Sequence, residues 1–263
     1  MLSCGDYTEI WCGRHRAELE VFDPRVRVFD LDLTSEVELR QVPEPIDLVV
    51  HFAAVTHSTR ADDYSLVNQQ GTARLAQAAR AGGCRRFVYA STRCATIGAG
   101  AYGESKLAAE DELKQLDWQS LLIIRSSEVY GAGGREGVDQ LIAWARRWHV
   151  TPLLFGDSGI EFAPLHIDDF AVIAARAIAS QPQGLVIMEV CGPEDLNGPA
   201  LARALAKRFG ALPLPVWWPL MAGLLKAGQR VGLRLTAPDQ IERLTCRKTS
   251  SARLAHATGD IRL

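Results

Sequence analysis

Short apolar runs rich in β-branched residues alternate with helix-patterned stretches over most of this chain. That alternation constrains its fold more than any other feature. Candidate strands fall at 9–12, 26–29, 48–52, 86–89, 121–124 and 185–188. Helical patterns occupy 73–81, 102–116, 138–148 and 170–179. A strand that returns through a helix to the same sheet needs a right-handed crossover. The pattern therefore predicts a parallel α/β sheet covered by helices on both faces. After about residue 192, Pro193, Pro199, Pro213, Pro215 and Pro219 punctuate the chain and helical segments dominate. This predicts a first domain over 1–192 and a smaller, mostly helical lobe over 193–263, laid across the strand ends.

At 263 residues and 48% hydrophobic composition, the chain can bury a sizeable core. Its net charge of -2 argues against a general affinity for nucleic acid. Arg85-Arg86 and Arg146-Arg147 are short clusters that read as solvated faces. Cys4, Cys12, Cys84, Cys94, Cys191 and Cys246 form no Cys-x-x-Cys pair and show no zinc-site spacing. Reduced thiols in a cytoplasmic protein are the expectation. Met1-Leu-Ser-Cys4-Gly faintly resembles a lipoprotein cleavage box, but no basic and apolar region precedes it. The apolar run from Val216 to Leu225 is too short to span a bilayer, and a lobe-packing helix is preferred to a membrane-surface role.

Tyr102 and Lys106 stand four residues apart in Tyr-Gly-Glu-Ser-Lys at the start of a helical pattern, so they share one face. Upstream, the run Phe87-Val-Tyr-Ala90 ends in Ser91-Thr92. A lysine under a phenol favours the phenolate, and a strand-end hydroxyl can bind the same substrate oxygen. Together they can move a proton on and off a carbinol. Gly98-Ala-Gly-Ala-Tyr-Gly103 has the spacing of a dinucleotide-binding turn, yet it overlaps this motif and lies late in the alternation. It reads as a decoy rather than a phosphate cradle.

Further motifs occur in order: Asp32-Leu33, His51-Phe52-Ala53-Ala54, Val67-Asn68-Gln-Gln-Gly71-Thr72, Arg125-Ser-Ser-Glu-Val-Tyr130-Gly131 and Leu165-His-Ile-Asp168-Asp169. The ordered set resembles the extended short-chain dehydrogenase/reductases, and within them the nucleotide-sugar epimerase/dehydratase group, over roughly residues 8–260. The resemblance implies a Rossmann-type, doubly wound domain that binds NAD or NADP, with a C-terminal lobe closing over a nucleotide-sugar. It implies Tyr102 as the acid/base and Lys106 as the residue that binds the nicotinamide ribose and lowers the tyrosine's pKa. Thr92 would hold the substrate hydroxyl, with Ser91 beside it. Asp32 and Leu33 would meet the adenine, while Phe52, Ala53 and Ala54 would run along the cofactor. Asn68 would be structural. Arg125 is read either as a phosphate contact or as an ion-pair member. The helix of Tyr102 and Lys106 commonly packs a dimer interface in this family, so a homodimer is expected. Arg14 and Arg16, just after the family's second strand, lean the cofactor choice towards NADP.

The chain also departs from the pattern. The family's first strand, its glycine-rich turn and most of its first helix find no counterpart before Glu9. Two readings stay open: a truncated start, which is favoured, or a degenerate protein that no longer holds the cofactor normally. Ala257 to Leu263 looks like the approach to a further segment. Thr92 is followed by Arg93-Cys94 rather than the Asp-Glu pair of the dehydratases, which disfavours dehydration. Cys94 is either an auxiliary acid or, preferably, a buried inert thiol. Glu161-Phe-Ala-Pro164 stands where many relatives place a diphosphate-gripping arginine, and Arg146 and Arg147 are candidate substitutes. His166 reads as a hydrogen-bonded strand-end residue rather than a metal ligand. Epimerisation, oxidation and reduction stay open as reactions, and a non-catalytic binding or assembly protein is the alternative function.

Overall fold

The computed structural model describes residues 7–15, 23–131, 133–134, 137–156, 160–230, 239–249 and 254–256. Cys4 with the rest of Met1–Gly5, Arg16 and the stretch 257–263 lie outside the described residues.

Strands β1 (Ile10–Arg14) and β2 (Val26–Asp30) pair in parallel and form a two-stranded sheet of their own. The short helix α1 (Glu36–Leu39) follows, with the Ser35 hydroxyl accepting from the Glu38 N–H as its cap. Then come β3 (Leu48–His51), α2 (Ala61–Tyr64), a π-helical stretch Ser65–Gly71, α3 (Thr72–Ala81), β4 (Arg86–Thr92), α4 (Gly100–Lys114) and β5 (Ser120–Ser126). The pair β6 (Val129–Tyr130) and β9 (Leu165–His166) flanks α5 (Val138–Trp148), β7 (Val150–Phe155) and β8 (Glu161–Phe162). Helix α6 (Ile167–Ala179) leads into β10 (Gly184–Cys191). The remainder comprises β11 (Leu196–Asn197), α7 (Gly198–Phe209), β12 (Leu212–Trp217), α8 (Trp218–Arg230), α9 (Gln240–Thr245) and β13 (Leu254–His256).

The main sheet is parallel throughout, in the order β13-β10-β5-β4-β3. Its strands are apolar on both faces, as a sheet with two helical covers must be. Phe87, Tyr89, Leu121 and Ile123 point to one side and bury against α3 and α4 through Leu75, Ala76, Ala79, Ala109 and Leu113. Their neighbours Val88, Leu122 and Ile124 point to the other and bury against Ala174 and Ile178 of α6. The doubly wound architecture expected from the alternation is thus present.

The resemblance calls for one continuous sheet, and the structure shows a gap instead. Among the described residues β3 has a hydrogen-bonded neighbour on one side only, and β1–β2 stands apart. Ladder bonding requires strands roughly 4.8 Å apart, and no described strand stands between the two pieces. They are joined by side chains instead. Leu31 and Leu33, just beyond β2, pack into the same core as Val49 and Leu75.

Strands on either side of residue 192 also pair with one another. β12 adds to β7, β11 to β8, and β13 returns to the main sheet beside β10. Ile160, Phe162, Leu201, Leu205, Trp218 and Ile241 form a separate core there. Trp218 is buried, so the apolar run around it packs into the lobe as read from the sequence, with Leu220 and Leu224 on its exposed side. No helix among the described residues is long and apolar enough to cross a membrane.

The Gly98–Gly103 spacing has a packing explanation. Gly100 has φ +77°, and a Cβ there would lie 2.6 Å from Cβ of Asp239. A Cβ at Gly103 would collide with the Cys94 carbonyl. These glycines let the start of α4 approach the β4 loop and α9 closely. Gly103→Val is therefore expected to destabilise the fold by about 1–3 kcal/mol. A lowered urea midpoint at unchanged slope would show this, and an unchanged midpoint would contradict the close approach.

Candidate active site

Tyr102 lies in the first turn of α4 and Thr92 at the carboxyl end of β4, where strand ends open into a cavity of about 750 Å³. Phe52, Ala54, Ser91, Thr92, Tyr102 and Lys106 all line it. The Thr92 hydroxyl stands beside the Tyr102 phenol and works to lower its pKa. Six of the expected site residues are thereby brought together.

The proton chemistry of the pair is set by burial. Tyr102 is 9% exposed, and burial pushes its phenol up to about 12, with the Arg243 guanidinium and the Thr92 hydroxyl opposing the rise. Lys106 is 2% exposed. Its ammonium donates to the Ala90 carbonyl at 2.6 Å and stands 4.1 Å from the centre of the Tyr89 ring. Burial brings its pKa down to about 7, with Glu110 pulling the other way. The cation nearest the face of Tyr102 is thus not Lys106 but Arg243, whose guanidinium carbon lies 4.2 Å from the ring centre.

Helix α4 is locked by a second, buried polar group. Glu110, with no exposure, accepts from Ser91 Oγ at 2.6 Å and from Arg125 at 2.9 and 2.6 Å. Arg125 is accordingly an ion-pair member, the second of its two readings, and does not line the cavity. Asn68 takes the structural role implied for it. Its amide bonds both the N–H and the carbonyl of Val55, at 2.8 and 2.9 Å, and donates to Ser105 Oγ at 3.1 Å, fixing the loop after β3 against α4.

The residues expected around the adenine are placed differently. Leu33 is buried against Gly71 and the core, so its side chain is committed to packing. Asp32 accepts from the Thr34 N–H and hydroxyl at 2.8 and 2.7 Å and stands 3.9 Å from His15. Arg14 donates to Asp30 at 3.0 Å. Neither these three nor Ala53 lines the cavity. Arg146 and Arg147 lie over the rings of Phe209 and Trp148 and do not reach it. His166 accepts from the Asp168 N–H at 3.3 Å, capping α6.

Cys94 is buried, in line with that part of the preferred reading. Its thiol lies 3.2 Å from the ammonium of Lys248, and neighbouring Cys246 and Lys248 draw its pKa below the ordinary thiol value.

A group of site residues went unrecognised in the sequence because they arrive from far along the chain. Asp239 accepts from the Tyr102 N–H at 3.0 Å. Arg243 covers the phenol and donates to the Thr56 carbonyl at 2.8 Å. Lys248 stands 3.4 Å from Glu128. No motif marks them; Asp239 at a helix start was the one local signal.

Comparison with known proteins agrees with this architecture. The model of the NAD dependent epimerase/dehydratase family matches residues 8–191. The chain belongs to that family. It is 29% identical over 209 residues to a ceramide reductase of Caulobacter vibrioides, covering 80% of this chain and 64% of that protein. It is 36% identical over 110 residues to dTDP-D-glucose 4,6-dehydratase of Mus musculus, covering 34% and 31%. The chain thus spans less than two thirds of the curated relatives it matches. Among solved structures it is similar to a dTDP-glucose 4,6-dehydratase from Streptomyces venezuelae with NAD bound, at a TM-score of 0.65 and 22% identity over 85% of this chain and 79% of that one. It is also similar to dTDP-4-dehydrorhamnose reductase from Bacillus anthracis in complex with NADP, at 0.63 and 21% over 74% and 76%. These likenesses establish the Rossmann-type fold.

Two outcomes follow from the buried charges. Glu110→Ala leaves Arg125 half-encased without its carboxylate and is expected to cost about 3–5 kcal/mol, measured by denaturant unfolding. Lys106 binds its proton less well when folded, at about 7, than the ordinary lysine value of 10.5. The burial penalty is full below pH 7. Above it, the unfolded chain keeps a proton that the folded chain has released, so stability rises with pH until about 10.5. Lys106→Met is expected to flatten this rise; a wild-type and variant difference that does not change between pH 6 and 9 would contradict it.

Proposed function

We propose that this chain carries the catalytic centre of an NAD(P)-dependent epimerase or oxidoreductase acting on a sugar hydroxyl or ketone of a nucleotide-sugar. The observation that carries the reading is the convergence of Thr92, Tyr102 and Lys106 on one cavity. When bound, the cofactor supplies or accepts the hydride at the substrate carbon. The rest is the work of this chain's residues. Tyr102 Oη exchanges a proton with the substrate oxygen. Thr92 Oγ1, on the same cavity wall, orients that same oxygen. Arg243 over the ring favours the phenolate. Ser91 positions β4 through Glu110.

The residues fit the nicotinamide end of the cofactor. Phe52 and Ala54 give the cavity an apolar wall beside Tyr102, and the buried ammonium of Lys106 has a single protein acceptor, leaving donors for a ribose. Lys106 would hold that ribose, with Ala53 alongside, while Asp32 is committed to Thr34 and Leu33 to the core. Among the described residues no glycine-rich strand-to-helix turn stands beside β3 to meet the pyrophosphate. Arg14 supports a lean to NADP, and NADH and NADPH fluorescence titrations distinguish the two. A cytoplasmic homodimer joined through the helix of Tyr102 belongs to the same proposal.

A second reading concerns the substrate. The cavity wall carries Phe52, Val129, Phe162, Ile167 and Phe170, and the stretch Glu161-Phe-Ala-Pro164 stands where many relatives place a diphosphate-gripping arginine. A ketone on a lipid suits such a wall, in keeping with the likeness to a ceramide reductase. Oxidation of NADPH with a 4-keto nucleotide-sugar, against a long-chain ketone in detergent, separates the readings.

Tyr102→Phe is expected to lower kcat by at least about a hundredfold while cofactor affinity changes less than threefold. Retained turnover would refute the role of Tyr102.

A further inference from the structure

Two thiols and an ammonium converge beside the acid/base tyrosine. The carbonyl oxygen of Arg243 lies 3.8 Å from Cys94 Sγ, 3.4 Å from Cys246 Sγ and 2.9 Å from Lys248 Nζ. Lys248 Nζ is also 3.2 Å from Cys94 Sγ, and both thiols thus meet at the same carbonyl oxygen. Cys94 sits on the loop after β4, two residues past Thr92. Cys246 and Lys248 sit on the strap that follows α9, and Thr249 of that strap donates to the Arg93 carbonyl at 2.9 Å. Cys94, Arg243, Leu244 and Lys248 all line the cavity, so the cluster is open to a small solute entering the site.

From this arrangement we propose that Cys94 and Cys246 form a reversible oxidation site, Cys94 as the attacking thiolate, Lys248 as its counter-ion and Cys246 as the resolving thiol. The oxidant by class is a hydroperoxide. Cys94 thiolate attacks the distal oxygen, the O–O bond breaks, and with one proton the products are Cys94 sulfenic acid and water, or an alcohol from an alkyl hydroperoxide. Cys246 then attacks the Cys94 sulfur. The S–S bond forms, the S–O bond breaks, and the Cys246 proton leaves with the hydroxyl as water. A dithiol reductant reverses the reaction by thiol–disulfide exchange: it gives two electrons to the Cys94–Cys246 bond, restores both thiols and becomes a disulfide itself.

The charged and titratable groups around Cys94 favour this order. Cys246 and Lys248 draw its pKa down, burial and Glu128 act against them, and Cys246 itself is pushed up by Cys94 and by burial. Cys94 is therefore the thiolate and Cys246 the protonated partner. Among the described residues, no lysine–thiol contact is found at Cys12, Cys84 or Cys191. Cys84 and Cys191 are buried and pushed up by that burial.

The disulfide would tie the strap to the β4 loop across the cavity mouth. It would hold Arg243 on Tyr102 and close the site whatever substrate the site takes. The chemistry does not depend on the proposed activity, so its test does not either.

The whole chain is titrated with hydrogen peroxide at pH 7, alkylated, digested without reduction and mapped by mass spectrometry. The expected result is a Cys94–Cys246 linked peptide that appears before any other oxidised cysteine and disappears with dithiothreitol. Lys248→Met, checked for folding by circular dichroism, is expected to slow Cys94 alkylation at pH 7 on the order of tenfold. Failure to find that link in the wild-type chain while other cysteines oxidise would overturn the proposal. So would alkylation of Cys94 no faster than that of Cys12.

Discussion

The carboxylate of Glu110, fully buried under α4, is the contact on which the rest of the site depends. It joins three elements at once: α4 that carries it, β4 through Ser91 and β5 through Arg125. A bidentate guanidinium and a hydroxyl satisfy its oxygens, which is the condition under which a buried charge is tolerated. With α4 pinned in rotation, Tyr102 and Lys106 at its start face the strand ends and no other direction. Asn68 does the same from the other side, holding the loop after β3 against Ser105.

Within that frame, burial and charge oppose each other at the reacting groups. Desolvation alone drives Tyr102 towards a weaker acid and Lys106 towards neutrality. The compensation for Tyr102 comes from Arg243, more than a hundred residues away along the chain. Helix α9 with its two flanks is therefore more than a cover. Through Asp239 on the Tyr102 N–H, Arg243 on its ring and Lys248 beside Cys94, this segment sets the electrostatics of the site.

Much of the fold was legible because its signals are local. The six apolar runs became strands, each within a few residues of its expected ends, and both faces of Phe87–Val88–Tyr89 proved covered, as a continuous apolar run predicts. The pairing of Tyr102 with Thr92 was legible from helix spacing and a strand-end hydroxyl. The ion pair of Arg125, the packing of Leu33 and the contact of Cys94 with Lys248 were not, since each depends on a partner brought by a different element.

By itself, then, the sequence determined the alternation of strands and helices, the helix face shared by Tyr102 and Lys106, and the membership of a family whose motifs run through 8–191. Periodicity and short spacings express those, because they follow from the geometry of a single element. Tertiary structure decided which charges meet: Glu110 with Arg125, Arg243 with Tyr102, Lys248 with Cys94. It also decided that β1–β2 stands apart from β3 and joins the core by side chains alone. Contacts between distant segments leave no period in the sequence. They exist only once the chain has folded and each buried polar group has found a partner.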